Sequence, residues 1–218
     1  MESMPKEFLP MAKELAKYSR LVWDMRFVEA NGGNLSVKIA EDLIITTPTM
    51  MSKRELTLDD MVVCTLKGDI VFGSRSPSSE LHSHLAIYNV NENAKAIVHS
   101  HPPYATSYAF ADDMPIEWLA PESVFWIGEI CVIPFLMPGS IELSNEIKRT
   151  CKEKYVLFLK NHGLITWGES LQNAMWRTEV MESYCKTAHL ISTRGAKPAK
   201  LNSKQVNMLV KLKEDFHR

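Results

Sequence analysis

The feature that most constrains this chain is a close succession of short apolar runs, Leu35 to Ile39, Leu43 to Thr46, Met61 to Thr65 and Ile70 to Phe72. Strands packed this tightly in sequence favour antiparallel pairing, with Lys67-Gly68-Asp69 as the hairpin turn between the last two. Upstream, Met11, Leu15, Tyr18, Val22 and Met25 recur at helical spacing, so roughly the first thirty residues read as an amphipathic helix. The turn Asn31-Gly32-Gly33-Asn34 ends it. Downstream the chain alternates: helix Ser79 to Val90, carrying Leu81, Leu85 and Tyr88 on one face, strand Ala96 to Ser100, helix Tyr104 to Ala111 and strand Ile130 to Pro134. Helix Ser140 to Lys152, strands Tyr155 to Lys160 and Leu164 to Trp167, and a long helix from Leu171 to about Ile191 follow. A last helix, Ser203 to Phe216, lies beyond the linker Gly195 to Pro198. No repeat, low-complexity tract or composition shift marks a second domain in the 218 residues. The expectation is one α/β domain over 1–218, a mostly antiparallel sheet flanked by helices, with a C-terminal helical tail from about 199 to 218.

The strand Ala96-Ile97-Val98 runs into His99-Ser100-His101. Side chains two apart on an extended segment point the same way, so the two imidazoles can grip one ion together. A lone His-x-His is weak evidence, but His162 sits in a second strand-end turn, Lys160-Asn161-His162-Gly163, where Gly163 permits sharp backbone geometry. Three imidazoles suit zinc and similar divalent ions and leave a position open for water or substrate. Glu80 is the fourth element. It reads either as a first-turn glutamate favouring a helix N-terminus or as a carboxylate able to coordinate the metal and exchange protons with substrate. His82 and His84 are two apart on a helix and do not share a face, so each reads as structural, while His189 and His217 read as helix-surface residues. The cupin barrel also uses His-x-His, Glu and His, but there the Glu follows the pair closely, and the abundant helix here argues against an all-β barrel.

Anion recognition, if present, is local. The formal net charge is −1, which offers no global pull toward nucleic acid or an anionic membrane. Asn31-Gly32-Gly33-Asn34 can present backbone N–H groups as a nest, and Ser78 and Ser79 supply hydroxyls and N–H groups at a helix N-terminus. Thr47-Pro48-Thr49 is a third turn with a free hydroxyl. Each also reads simply as a turn or cap. Cys64, Cys131, Cys151 and Cys185 are scattered, which argues against a disulfide framework and fits a reducing cytoplasm. Residues 1–7 are too polar and acidic for a signal peptide, and no apolar stretch is long enough to cross a bilayer.

Six segments in order, Gly33-Asn34-Leu35-Ser36, Thr46-Thr47-Pro48-Thr49, Pro77-Ser78-Ser79-Glu80, Ile97-Val98-His99-Ser100-His101, Pro138-Gly139 before a helix, and Lys160-Asn161-His162-Gly163, resemble the class II aldolase/adducin family. That family contains L-fuculose-1-phosphate aldolase and L-ribulose-5-phosphate 4-epimerase, and the resemblance runs from about Lys13 to Ile191. It implies a central, mostly antiparallel sheet between helical layers, assembled as a fourfold homotetramer with active sites at subunit interfaces. It further implies zinc held by His99, His101 and His162. Glu80 would coordinate that zinc in the empty site and move protons during turnover. Gly33, Asn34, Thr49, Ser78 and Ser79 resemble the phosphate-binding positions. The implied reaction is cleavage of a ketose 1-phosphate to dihydroxyacetone phosphate and a small aldehyde, with zinc polarising the carbonyl and stabilising the enediolate.

Glutamate at position 80 favours an aldolase over the epimerases, which carry Asp there. Methylthioribulose-phosphate dehydratases and sugar-acid-phosphate decarboxylases of the same family remain alternatives. An adducin-like head, an interaction module without catalysis, has no need of three histidines and Glu80. Two departures stand out. Met50 replaces the glycine that usually follows Thr-Pro-Thr, a position where glycine lets backbone approach phosphate closely. The stretch Pro115 to Glu122 also lacks the tyrosine that donates a proton in the fuculose enzyme. Glu122 is the candidate replacement, and the tail that carries a tyrosine over the site in some aldolases has Phe216 here. The aldehyde pocket is expected partly from a neighbouring subunit, from Glu117 to Phe125 and the C-terminal helix.

Overall fold

A computed structural model describes residues 4–114 and 118–216. Pro115, Glu117 and His217, each named above, lie outside the described residues. The first helix, α1 (Leu9–Asp24), is shorter than its apolar spacing suggests. Pro10 sits in its first turn, where a missing N–H does no harm, and Arg26 takes a left-handed φ of 58° that stops it five residues before the Asn31 turn. Strands β1 (Asn34–Lys38), β2 (Leu43–Thr46), β3 (Val62–Thr65) and β4 (Ile70–Phe72) then form an antiparallel meander. Before β3, a short turn over Leu58–Asp60 is closed reciprocally by Thr57 and Asp60, a pattern the strand reading passed over.

Next come α2 (Leu81–Val90), β5 (Ala96–Ser100), α3 (Pro103–Ala109), β6 (Ile130–Ile133) and α4 (Ile141–Thr150). The chain closes with β7 (Val156–Leu159), β8 (Gly163–Gly168), α5 (Leu171–Thr193) and α6 (Ser203–Phe216). The eight strands form one sheet in the order β4-β3-β2-β1-β5-β8-β7-β6. Every pairing is antiparallel except β6 with β7, which α4 joins as a crossover. The sheet is therefore mixed and mostly antiparallel.

Alternation along the strands sorts the core into two faces. Ile97, Leu157 and Ile165 pack under α2 and α4. On the opposite face Leu35, Val37 and Val98 meet Leu15 and Val22 of α1, while Val156, Phe158 and Leu164 meet α3 and α5. Truncating a buried residue such as Leu15 to alanine costs about 2–5 kcal/mol. Because α4 covers its outer side, α2 is buried well beyond the Leu81-Leu85-Tyr88 stripe, and Ser83, His84, Ala86 and Ile87 are buried too. All four cysteines are buried and unbridged. No helix among the described residues is long and apolar enough to cross a membrane.

Candidate metal centre

His99 lies near the C-terminal end of β5, paired across the ladder with Asn34 of β1 on one side and Ile165 of β8 on the other. It shares strand parity with Ile97, so its side chain points to the α2 face. His101 follows just beyond the strand, and its ring centroid is 5.0 Å from that of His99. The tight turn between β7 and β8 brings in His162, with ring centroids 4.7 Å from His99 and 5.6 Å from His101. One ring nitrogen from each histidine lies within 4.8 Å of the others.

Gly163 matters here for a reason other than backbone freedom. Asn161 takes the left-handed conformation of the turn, with φ 58°, and Gly163 does not. A Cβ on Gly163 would stand 2.6 Å from His101 Cδ2 and 2.8 Å from the Ser100 carbonyl oxygen. The glycine is needed so that the His162 turn can pack against His101.

Glu80, at the start of α2, reaches into the cluster. Its Oε1 is 3.3 Å from His99 Nε2 and accepts a hydrogen bond from Asn34 Nδ2 at 3.1 Å, and its Oε2 is 3.6 Å from His162 Nε2. The proton positions on two rings follow from their outer partners. His99 Nδ1 faces the Leu164 carbonyl at 3.0 Å and His101 Nδ1 faces Glu29 Oε1 at 2.9 Å. Both partners are acceptors, so each Nδ1 carries a proton, and in the neutral ring each Nε2 keeps its lone pair. Both Nε2 atoms and Glu80 Oε2 are buried without a hydrogen-bond partner. Three imidazole nitrogens and a carboxylate with orphaned ligand atoms fit zinc or a similar divalent ion.

The electrostatics of His101 and His162 agree with that donor set. Burial lowers the pKa of His101, and burial together with nearby His99 brings His162 to about 4, so both are neutral at pH 7, the form that binds metal. Burial also opposes a charge on His99, but the Glu80 carboxylate prevails and raises its pKa. Glu80 itself is held well below the usual carboxylate range: burial works against its charge, and the histidines, His99 first, overcome it.

The candidate anion segments meet beside this cluster. Thr47 N donates to the Leu35 carbonyl, Leu35 N donates to Thr47 Oγ1, and Ser78 N donates to the Thr47 carbonyl at 3.2 Å. Thr49 N is tied to the Ser76 carbonyl, and Ser78 Oγ accepts from Glu80 N. A Cβ on Gly33, whose φ is +66°, would come within 2.7 Å of the His99 carbonyl oxygen, so the Gly-Gly loop lies directly on the histidine strand. Asn34 and Ser78 are buried in this network, Thr49 is half-buried and Ser79 is exposed. Met50 occupies its turn with a left-handed φ of 56°.

Glu122 stands apart. It is exposed at the start of a short turn over Ser123–Ile127, which packs on α5 and α6, and it makes no hydrogen bond or ion pair with the histidine cluster. His82 is exposed on α2 and His189 is exposed on α5.

Two residues near the site, Glu29 and Lys53, carry no sequence expectation, and a third, His84, is structural as its helix position implies. Glu29 orients His101. His84 is buried behind Glu80, with Nδ1 2.7 Å from Ser36 Oγ, which in turn lies 2.8 Å from Tyr88 Oη. Lys53 is 1% exposed, and its Nζ donates to the carbonyls of Asn31 and Met51. An acid three residues before the Gly-Gly pair is the readable signal for Glu29, whereas nothing in Ser52-Lys53-Arg54-Glu55 distinguishes a buried lysine from a solvated one.

Residues 13–189 match the family described as Class II Aldolase and Adducin N-terminal domain. The L-fuculose phosphate aldolase of Methanococcus maripaludis strain C5 is 35% identical over 179 residues, 82% of this chain and 96% of that protein. The 3-oxo-tetronate 4-phosphate decarboxylase of Haemophilus influenzae is 32% identical over 179 residues, 80% of this chain and 85% of that one. Among solved structures, an L-fuculose 1-phosphate aldolase superposes with a TM-score of 0.83 at 26% identity, covering 95% of this chain and 96% of the other.

Proposed function

The chain belongs to the class II aldolase and adducin N-terminal domain family, and from that premise we propose that it is a metal-dependent aldolase cleaving an L-fuculose-1-phosphate-like ketose 1-phosphate to dihydroxyacetone phosphate and a small aldehyde. The observation that carries this reading is the convergence of three histidine nitrogens within 4.8 Å, with Glu80 reaching two of those rings. An interaction module has no use for such a ligand set.

In this reading His99, His101 and His162, with Glu80 as a fourth donor, hold zinc. The bound ion supplies a Lewis acid for the substrate carbonyl while the carbon–carbon bond breaks. Glu80 accepts and returns the proton. Its carboxylate is ionised at neutral pH, is steered by Asn34 Nδ2, and sits between the ligands and the loops that would carry the sugar phosphate. Gly33, Asn34, Thr49, Ser78 and Ser79 bind the phosphate through short polar side chains and those backbone N–H groups that are not tied within the loops, as Thr49 N and Ser78 N are.

Glu122, in a neighbouring subunit's site, takes up the hydroxyl proton as the aldehyde forms and donates it back to that oxygen in the reverse, condensing direction. Its exposed position at the foot of the Ser123–Ile127 turn is compatible with a cytoplasmic homotetramer whose sites lie between subunits. The Glu122→Gln protein should then keep zinc and lose cleavage.

The test is release of dihydroxyacetone phosphate from L-fuculose 1-phosphate and a panel of related ketose 1-phosphates by the zinc-loaded protein. No release from any of them overturns the reading. A second reading, decarboxylation of a 3-oxo sugar-acid phosphate, draws on the Haemophilus relative at 32% identity. Carbon dioxide evolved from 3-oxo-tetronate 4-phosphate, with no aldol cleavage, selects it. Glu80 rather than Asp speaks against the 4-epimerase, and a dehydratase would release water from its substrate rather than split it.

A further inference from the structure

Lys53 is buried to 1% exposure, yet none of the carboxylates among the described residues lies within ion-pair distance of its Nζ. Its two acceptors are backbone carbonyls, Asn31 at 3.0 Å and Met51 at 2.8 Å. These belong to the two loops that carry Gly33 and Asn34 on one side and Thr47 to Met50 on the other. An ammonium has three donors, so one remains for a further acceptor. Burying a charge without a counter-charge is costly, and a neutral donor could clasp two carbonyls without that penalty. The charge therefore calls for an anion.

Two other cations of the neighbouring sequence are already engaged. Arg75 pairs with Asp60 at 2.6 Å, and Arg54 lies over the Trp23 ring. Glu80 and Glu29 contribute negative charge to the same neighbourhood, which would repel a phosphate dianion. Burial lowers the Lys53 pKa to about 8, with Glu80 acting in the opposite sense, so the ammonium persists at neutral pH.

We propose that Lys53 is a substrate-binding residue whose ammonium neutralises the phosphate of a sugar phosphate held between the Asn31–Asn34 and Thr47–Met50 loops. This rests on the sugar-phosphate reading above and adds to it the charge that the backbone nests lack.

The probe is inorganic phosphate, titrated calorimetrically into the zinc-loaded protein and into its Lys53→Arg and Lys53→Met variants, with zinc content and melting temperature recorded alongside. The unmodified protein and Lys53→Arg should bind phosphate within a few-fold of each other. Lys53→Met should bind it at least about tenfold more weakly, the usual worth of a hydrogen bond to a charged group. Phosphate affinity unchanged in Lys53→Met, or lost equally in both variants, overturns the proposal. Should Lys53→Met fail to fold, lysine-labelled NMR of the unmodified protein decides. Movement of the Lys53 Cε resonance on phosphate addition supports the assignment, and an unmoved resonance overturns it. Phosphate binding through Lys53 without cleavage of any ketose 1-phosphate would sink the aldolase reading and leave this one standing.

Discussion

Glu29 Oε1 lies 2.9 Å from His101 Nδ1, and this one contact fixes which nitrogen of His101 faces the cluster. Glu29 is 70% exposed, so the bond adds little to folding stability. Its effect falls on the ligand. It holds the ring orientation, keeps the proton on Nδ1 and makes Nε2 a better donor. Outer-shell partners of this kind are typically worth about 10–100-fold in metal affinity. Glu29→Ala should therefore weaken zinc binding by about tenfold in a chelator competition, with Glu29→Gln falling between it and the unmodified protein. Equal affinities for all three would show that His101 needs no such anchor.

Glu80 touches the same rings but has a different predicted signature. Three histidines remain when its charge is removed, and the amide of Glu80→Gln keeps the shape of the side chain. Zinc stoichiometry should be nearly intact while turnover falls by about 10²–10⁴, the usual contribution of a positioned acid/base. Metal analysis and steady-state rates on the same preparation separate the two effects. Undiminished turnover would remove Glu80 from the chemistry.

His99, His101, His162 and Glu80 were legible because each stands where an apolar run stops or a helix begins, and strand periodicity alone puts the first two on one side. The meander was legible because four-residue links join β1 to β2 and β3 to β4, too short for a parallel crossover. What sequence hid was burial created by distant loops. Lys53 sits in a charged stretch that looks solvated, and only the folding of the Asn31 and Met51 loops over it makes it interior. His84 reads as structural because it cannot share a face with His82, and it does point inward, to Ser36 on β1. Gly163 was noticed for the wrong property, since the space it leaves for His101 is invisible until β5 and β8 are paired.

Buried His84 should make stability pH-dependent. Burial, with His99 as a secondary cause, lowers its pKa from 6.5 to about 3 in the fold. Between those values the unfolded chain binds a proton that the folded protein refuses, so stability falls as pH drops below about 6.5. The slope from this group approaches about 1.4 kcal/mol per pH unit. Glu80, whose pKa is depressed, adds a loss in the same direction at lower pH, while His99, whose pKa is raised, opposes it. The His84→Asn variant isolates the His84 share, because its amide can replace Nδ1 toward Ser36. Urea midpoints measured from pH 7.5 to 5 should show the gap between the two proteins shrinking as the solution becomes more acid. A constant gap would mean that His84 titrates normally.

Met50 gives a test of the one place where the anion loops break their expected pattern. It is 79% exposed and holds a φ of 56°, a conformation that costs an ordinary side chain about 1–2 kcal/mol and a β-branched one more. Glycine removes that strain, although its greater freedom in the unfolded chain returns about 0.5–1 kcal/mol of it. Met50→Gly should therefore leave stability unchanged or raise it by up to about 1 kcal/mol, and Met50→Ile should lower it by about 1 kcal/mol or more. Because the side chain is exposed, neither change opens a cavity, and both remove the 3.4 Å contact from Asn31 Nδ2 to Met50 Sδ, so the difference between the two variants reads backbone conformation. Equal urea midpoints for the glycine and isoleucine variants would refute a left-handed Met50. The ordering glycine, methionine, isoleucine would establish that this loop keeps, with a methionine, the backbone shape suited to a glycine beside the phosphate.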